Sequence, residues 1–177
     1  MGPKFRTSDG KGIDVAYRCI VEAGVQVVIA LPDSQLSPLC QRIREGCDIE
    51  YIQAVHESTC VGIATGLSLT GTLAMVIMEN SGLRNACETI ARCHLSHGLF
   101  ACYLISHRGA YGERNWWGQA HHTTMEPLLD LLRFRWTYVK SLSEFALALK
   151  QAFSTLAAGQ SSVALIAEPD FIEDMSR

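Results

Sequence analysis

The sequence lacks the features that mark several large classes of protein. It has no excess of basic residues, since its formal net charge is -3, and this excludes a strong electrostatic footprint for nucleic acid or for an anionic membrane. No apolar run approaches the roughly 20 residues that a membrane-spanning helix needs. We therefore expect no nucleic-acid partner and no membrane association.

Common catalytic and cofactor motifs are also missing. No GxGxxG or GxxxxGK[ST] pattern occurs, which excludes the usual dinucleotide fingerprint and P-loop, and there is no GxSxG nucleophile elbow. The seven cysteines include no CxxC pair. The spacing of Cys87, Cys93, His94 and His97 matches no structural zinc pattern. We predict no metal site on this chain, and we expect a cytoplasmic protein with reduced thiols.

What the sequence does contain is a repeated alternation of short apolar runs and longer helical patterns. Strands are predicted at 25–31, 49–55, 73–78, 99–106, 136–139 and 163–167, and the continuous β-branched run at 25–31 is typical of a strand buried on both faces. Helices are predicted at 35–45, 57–69, 80–94, 124–132 and 143–157, with Ser34 and Ser143 as the caps of the first and the last.

This alternation predicts an α/β fold with an open, mainly parallel sheet of about six strands and helices on both faces. Residues 1–11 are predicted to be a flexible N-terminal arm, and residues 12–177 a single domain. Polar segments follow the strands, at the edge where sites form in such sheets. They lie at 32–34, 56–57, 80–82 and 107–122.

Taken alone, the residues in these segments are compatible with a structural role as well as with a functional one. Glu57 is typical of an ordinary first-turn glutamate favoured by the helix dipole, and Ser34 and Asn80 are typical helix caps. The pattern therefore predicts a site at this edge and names no chemistry.

Four segments, however, resemble motifs of thiamine-diphosphate-dependent enzymes. Residues 54–66 (AVHESTCVGIATG) resemble the helix that carries the conserved glutamate of the family. Residues 78–85 (MENSGLRN), 106–112 (SHRGAYG) and 31–34 (LPDS) resemble the NSGLGN, SWRGxxG and VPDS segments of phosphonopyruvate decarboxylase and of the sulfopyruvate decarboxylase alpha subunit. The similarity spans about residues 12–168 and covers only the domain that binds the pyrimidine ring of the cofactor.

The resemblance implies a set of cofactor-binding residues. Glu57 is expected to be the catalytic carboxyl group that hydrogen-bonds the pyrimidine ring of thiamine diphosphate. Asn80, Ser81 and Gly82 are expected to bind the cofactor at a helix N-terminus, where free backbone N–H groups are available.

Substrate and proton-transfer residues are implied as well. Asp33, Ser34 and Arg108 are expected to bind the substrate, Arg108 through the planar fork of donors that suits a sulfonate or phosphonate. His121 and His122 resemble the paired histidines that shuttle protons in pyruvate-type decarboxylases. From the sequence, either histidine is a candidate, and a solvated pair near a helix start is equally compatible with the pattern.

The family also has a second domain that holds the diphosphate and Mg²⁺ through a GDG…N motif. That motif is missing here, because Ser8-Asp9-Gly10 has no strand before it and no suitable Asn after it. We therefore expect a beta subunit that carries the motif and the Mg²⁺ ligands, in a dimer of heterodimers or a larger hetero-oligomer.

The resemblance predicts the alpha subunit of a split 2-oxo-acid decarboxylase, which converts sulfopyruvate, phosphonopyruvate or a related 2-oxo acid to an aldehyde. Two alternatives stay open: a carboligase subunit of the acyloin or acetolactate-synthase type, and a non-catalytic binding or regulatory module. Trp116 and Trp117 depart from the more polar family pattern. They are compatible with a lid, a less polar substrate pocket or a contact with the partner chain.

Overall fold

The computed structural model describes residues 11–177. It contains six strands, which are short and mostly buried: β1 (Val27–Ala30), β2 (Glu50–Gln53), β3 (Ala74–Glu79), β4 (Cys102–Ser106), β5 (Arg135–Val139) and β6 (Val163–Ala167). Seven α-helices connect and flank them: α1 (Lys11–Glu22), α2 (Ser37–Glu45), α3 (Glu57–Leu69), α4 (Ser81–Ile90), α5 (Gly118–Leu131), α6 (Leu142–Ala157) and α7 (Pro169–Ser176). A π-helical turn, Ala91–Ser96, extends α4.

All the strands pair in parallel, in the order β2-β1-β3-β4-β6-β5. Alternate residues of β1 belong to different cores, since Val28 packs with α1, α2, α6 and α7, whereas Ile29 packs with α3, α4 and α5. This alternation covers both faces of the sheet with apolar side chains, as a parallel sheet requires. The predicted fold class is therefore confirmed.

Several local predictions are wrong in ways that have clear physical causes. Ser34 does not cap α2, because the helix begins at Ser37 and the Leu36 N–H donates to Asp33 Oδ1 instead. Ser141, not Ser143, caps α6 by accepting the Glu144 N–H.

The ends of the chain and the start of α5 also differ from the prediction. Helix α5 begins at Gly118 rather than at residue 124, so both histidines of the pair lie in its first turns. Helices α1 and α7 were not predicted, although Tyr17 and Ile20 form part of a regular apolar face. Lys11, assigned to the N-terminal arm, is the first residue of α1, and residues 1–10 lie outside the described part of the chain. Between residues 11 and 177, no helix is both long and apolar enough to cross a membrane.

Candidate active site

The polar segments that follow the strands meet at the carboxyl edge of the sheet. The Ser106 hydroxyl at the end of β4 donates to Asp33 Oδ2 after β1, at 2.8 Å. The Asn80 side chain after β3 donates to the Arg108 carbonyl oxygen, at 2.9 Å. Three neighbouring strand ends are therefore joined by direct hydrogen bonds, as the sequence predicts for a site at this edge.

Glu57 lies at the first position of α3, beside the start of α4. The helix begins here because His56 Nδ1 accepts the Ser58 N–H and so caps it. One carboxylate oxygen of Glu57, Oε2, accepts a hydrogen bond of 2.7 Å from the Asn85 side chain. The other oxygen, Oε1, accepts none from residues 11–177 and faces Gly82. The carboxylate is therefore fixed through Oε2 by Asn85, and Oε1 remains able to accept a hydrogen bond from a ligand.

Gly82 provides the space that the Glu57 side chain occupies. A Cβ atom at Gly82 would lie 2.7 Å from Cγ of Glu57 and 2.9 Å from Sδ of Met78. Such contacts are too short for real Cβ atoms. The glycine of this motif is therefore needed for Glu57 to pack against α4.

Asn80 and Ser81 use their side chains within the protein. The buried Asn80 side chain accepts the Arg108 N–H at 3.3 Å, in addition to its bond to the Arg108 carbonyl, and makes no cap hydrogen bond to α4. The Ser81 hydroxyl donates to Glu79 Oε1 at 2.8 Å. Asn80 therefore ties the start of α4 to the segment after β4, and Ser81 ties it to the end of β3.

Asp33 and Ser34 have different surroundings. Both carboxylate oxygens of Asp33 accept hydrogen bonds, from the Leu36 N–H and from the Ser106 hydroxyl. Ser34 is exposed, and its hydroxyl accepts a hydrogen bond from Nη2 of Arg108. Asp33 thus shapes the turn, whereas Ser34 faces outward beside the guanidinium.

Arg108 is surrounded by acidic side chains. Its Nε lies 3.5 Å from Glu79 Oε2 and 3.9 Å from Asp33 Oδ2, and its Nη1 lies 3.7 Å from Glu113 Oε2. Nε is buried and has no hydrogen-bond partner among the described residues. The ring of Trp117 lies 5.7 Å from the guanidinium carbon. The positive charge is therefore already compensated, which weakens its attraction for a distant anion.

The two adjacent histidines have separate partners. Arg84 Nη2 lies 2.6 Å from Nδ1 of His121, and burial, followed by the charge of Arg84, lowers the pKa of His121. His122 is more exposed, and its Nδ1 lies 2.9 Å from Nε2 of His107. These surroundings favour the neutral form of His121, whereas His122 is hydrogen-bonded to His107.

Several residues of the site were not singled out from the sequence. Glu79 and Glu113 contact Arg108, Arg84 contacts His121, and His107 contacts His122. Two of them carried a signal, because Arg84 stands where NSGLGN has its second glycine and His107 stands where SWRGxxG has tryptophan. Both departures lie against the histidine pair.

The donor set at Glu57 fits the pyrimidine side of thiamine diphosphate. A carboxyl group with one oxygen that accepts no hydrogen bond from the described residues can share a proton with a ring nitrogen. The described residues contain no group of three or more His, Cys, Asp or Glu side chains arranged to hold a metal ion.

Comparison with known proteins identifies the family of the chain. The family model described as thiamine pyrophosphate enzyme, N-terminal TPP binding domain, matches residues 10–132. The chain belongs to this family. The match to the thiamine pyrophosphate enzyme domain includes Glu57, the start of α4, Arg108 and both adjacent histidines, and it ends before Glu168.

Curated relatives within the family include decarboxylase chains. Sulfopyruvate decarboxylase subunit alpha of Methanococcus maripaludis is 29% identical over 101 residues, covering 57% of this chain and 60% of that subunit. The subunit of the same name from Methanocaldococcus jannaschii is 28% identical over 104 residues, 59% of this chain and 62% of that one. The chain thus spans about three fifths of these relatives. Phosphonopyruvate decarboxylase of Streptomyces viridochromogenes is 27% identical, with 68% of this chain and 31% of that protein covered.

Two solved structures share the fold. An X-ray structure of a protein from Mycobacterium smegmatis, described as a thiamin diphosphate-dependent enzyme, superposes with a TM-score of 0.65 at 19% identity. It covers 92% of this chain and 31% of that one. A 2-oxoglutarate:ferredoxin oxidoreductase from Magnetococcus marinus gives a TM-score of 0.63 at 14% identity, with 91% and 29% covered.

Proposed function

We propose that the chain is the pyrimidine-binding alpha subunit of a split thiamine-diphosphate-dependent decarboxylase. The enzyme converts sulfopyruvate, phosphonopyruvate or a related 2-oxo acid to the corresponding aldehyde. When bound, thiamine diphosphate supplies the electron sink for the loss of CO₂. Relatives named as sulfopyruvate decarboxylase alpha subunits support this proposal, and the name alpha supports the presence of a second subunit.

The observation that carries the proposal is the position of Glu57. Its Oε2 is fixed by Asn85, its Cγ fills the space above Gly82, and its Oε1 is directed to the start of α4. This arrangement lets the carboxyl group exchange a proton with a ring nitrogen without first changing its conformation. Asn80 and Ser81 contribute by fixing α4, so that backbone N–H groups and Glu57 keep a constant separation.

Substrate binding is assigned to Ser34 and Arg108. The hydrogen bond between them places a hydroxyl and a guanidinium side by side at the exposed edge. We assign them to the carboxylate that all 2-oxo acids share, because Glu79 and Glu113 already offset much of the charge available for a second anionic group. Asp33 holds the turn that carries Ser34.

The partner is assigned to the carboxyl edge of the sheet. Val55, Tyr111 and Trp116 are almost fully exposed there, with relative accessibilities of 92%, 106% and 88%. They follow strands β2 and β4, and large apolar side chains exposed at one edge of a sheet are compatible with a protein–protein contact. We assign this surface to a beta subunit that supplies the diphosphate contacts and the Mg²⁺ ligands. All seven cysteines are free, which supports a reducing cytoplasmic compartment.

The proposal is tested by reconstitution with the partner. The chain is co-expressed with the product of its neighbouring reading frame, and the complex is assayed with sulfopyruvate, phosphonopyruvate and pyruvate, with and without thiamine diphosphate and Mg²⁺. We expect a complex with equal numbers of both chains, and an aldehyde product that requires both chains and the cofactor.

The controls distinguish the main alternatives. Each chain alone provides the background rate, and an added acceptor aldehyde detects carboligation. A complex that releases no CO₂ from any 2-oxo acid of this panel contradicts the proposal, as does full activity of either chain alone. A ligated product in place of the free aldehyde assigns the chain to the carboligases.

A further inference from the structure

A line of three titratable side chains runs from the interior to the surface beside the proposed site. Oε1 of Glu168, at the start of α7, is hydrogen-bonded to Nδ1 of His107. Nε2 of His107 is hydrogen-bonded to Nδ1 of His122 at 2.9 Å. The His107 side chain is only 4% exposed and that of Glu168 19%, whereas His122 is exposed. A partly buried carboxylate is thus connected to a surface imidazole through one buried ring.

The hydrogen bonds restrict which nitrogen atoms carry hydrogen. A carboxylate only accepts, so Nδ1 of His107 donates to Glu168. When His107 is neutral, its Nε2 accepts from Nδ1–H of His122, and Nε2 of His122 is left as a free base. When His107 is an imidazolium paired with Glu168, its Nε2–H donates to Nδ1 of His122, and Nε2 of His122 then carries a hydrogen. The exposed nitrogen therefore alternates between base and acid as one proton enters or leaves the line.

His121 does not share this property. A guanidinium has only donors, so Nδ1 of His121 accepts from Arg84, and its hydrogen is confined to Nε2, 3.8 Å from Oε1 of Glu79. Burial and the charge of Arg84 lower the pKa of His121. Its tautomer is thus set by the Arg84 contact, and its surroundings favour the neutral form.

Charged and titratable groups lie near the line on several elements. The guanidinium of Arg108 belongs to the residue after His107, and Lys140 follows Val139, whose carbonyl oxygen accepts the Glu168 N–H. From β5, the Tyr138 ring stacks on His107 at 5.6 Å, and its hydroxyl donates to Glu126 of α5. Burial raises the pKa of Tyr138, which keeps the phenol neutral. Glu168 is the carboxylate in direct contact with the line.

We propose that His107 and Glu168 are positioning residues, which set the tautomer of His122 and so select it rather than His121 as the proton carrier. The inference rests on the proposed function. Loss of CO₂ leaves an electron pair on the substrate carbon, and Nε2–H of His122 supplies the proton that forms the new C–H bond. The hydrogen on Nε2 of His107 moves to Nδ1 of His122, and solvent later returns one proton at the exposed Nε2.

The line is a feature of this chain rather than of the motif that it resembles. The SWRGxxG pattern has tryptophan where His107 stands, and an indole has no acceptor nitrogen that could relay a proton. Glu168 lies beyond residues 10–132, which the family model matches.

The test is imidazole ¹⁵N NMR on the full chain, alone and in complex with its partner, from pH 5 to 9. At high pH we expect the Nδ1–H tautomer for His122 and for His107, and a joint change of both rings as the pair takes up its proton. In Glu168→Gln, which keeps an acceptor oxygen but removes the charge, we expect that change to move to lower pH. His97, an exposed histidine, provides the internal reference, and Glu173→Gln on the same helix provides the matched control.

A predominant Nε2–H tautomer of His122 at high pH would overturn the inference, as would a Glu168→Gln spectrum that titrates like the wild type. In the active complex, His122→Gln should lower kcat roughly 100-fold or more, and Glu168→Gln should shift the acidic limb of the kcat profile with little change in KM. The NMR result does not depend on turnover. A complex without decarboxylase activity therefore refutes the proposed function, while the tautomers still decide the inference.

Discussion

Glu57 and Gly82 are packed so closely that a single added carbon on the glycine would lie 2.7 Å from Cγ of the glutamate. This contact packs the start of α3 against the start of α4. It thereby sets the distance between the Glu57 carboxylate and the N-terminus of α4. The position of the proposed catalytic group thus depends on a residue that has no side chain.

The first prediction concerns this contact. Gly82→Ala should displace the Glu57 side chain, lower the free energy of unfolding by about 1–3 kcal/mol through overpacking, and abolish thiamine-dependent turnover of the complex. Chemical denaturation and the CO₂ assay provide the two measurements. Gly62→Ala is the matched control, since no atom lies within 4 Å of a Cβ there, and it should stabilise the isolated chain by roughly 0.5–1 kcal/mol. Full activity of Gly82→Ala would show that the contact does not position Glu57.

A second prediction follows from the acids around Arg108. Arg108→Gln should cost roughly 3 kcal/mol of unfolding free energy, because Asp33 and Glu79 would be left as uncompensated, largely buried charges. KM should rise to a similar extent for sulfopyruvate and pyruvate, since we assign Arg108 to their common carboxylate. Arg92→Gln, which removes an exposed pair with Glu88, should cost less than about 1 kcal/mol. A KM increase confined to sulfopyruvate would instead assign Arg108 to the distal sulfonate.

A third prediction concerns the dependence of stability on pH. His94 is buried between the Tyr103 and Ser162 hydroxyls, and burial lowers its pKa to about 4. In the unfolded chain this histidine takes up a proton near pH 6.5, whereas in the folded chain it does so only near pH 4. The contribution of His94 to the free energy of unfolding is therefore present above pH 6.5 and is lost as the pH falls towards 4. The loss between pH 7 and pH 5 should be roughly 2 kcal/mol from this residue.

Urea denaturation at the two pH values measures that loss. His94→Gln should reduce the difference in unfolding free energy between pH 7 and pH 5, and His121, whose pKa is lowered in the same direction, should contribute to the remainder. His97→Gln, at an exposed position, should keep the full difference. An undiminished pH dependence in His94→Gln would contradict the assignment.

The sequence was sufficient for the sheet and for the location of the site. Val163–Ala167 and Glu57–Leu69 were predicted with their observed bounds, because a continuous apolar run and an uninterrupted helical pattern have clear ends. The polar residues after β1, β3 and β4 were predicted to meet because parallel strands end at one edge.

The side-chain contacts within the site could not be predicted from the sequence, for a physical reason. The bonds from Arg84 to His121 and from Glu168 to His107 join residues 37 and 61 positions apart, and their side-chain directions depend on how the elements pack. Helix α5 was predicted to begin too late, because nothing in the Trp116-Trp117-Gly118 segment resembles a polar cap. The sequence shows two adjacent histidines and therefore could not predict that His121 contacts Arg84 while His122 contacts His107.

The central claim is that the Glu57 carboxyl group serves the thiamine cofactor, and one variant tests it most directly. CO₂ release is measured for the complex of the chain with its partner, at saturating thiamine diphosphate and Mg²⁺, for the wild type, Glu57→Gln and Glu88→Gln. Glu88 is an exposed glutamate on the neighbouring helix α4 and serves as the control. We predict that Glu57→Gln forms the complex but loses roughly 10²- to 10⁴-fold in kcat, while Glu88→Gln keeps its activity. Wild-type turnover by Glu57→Gln would contradict the account.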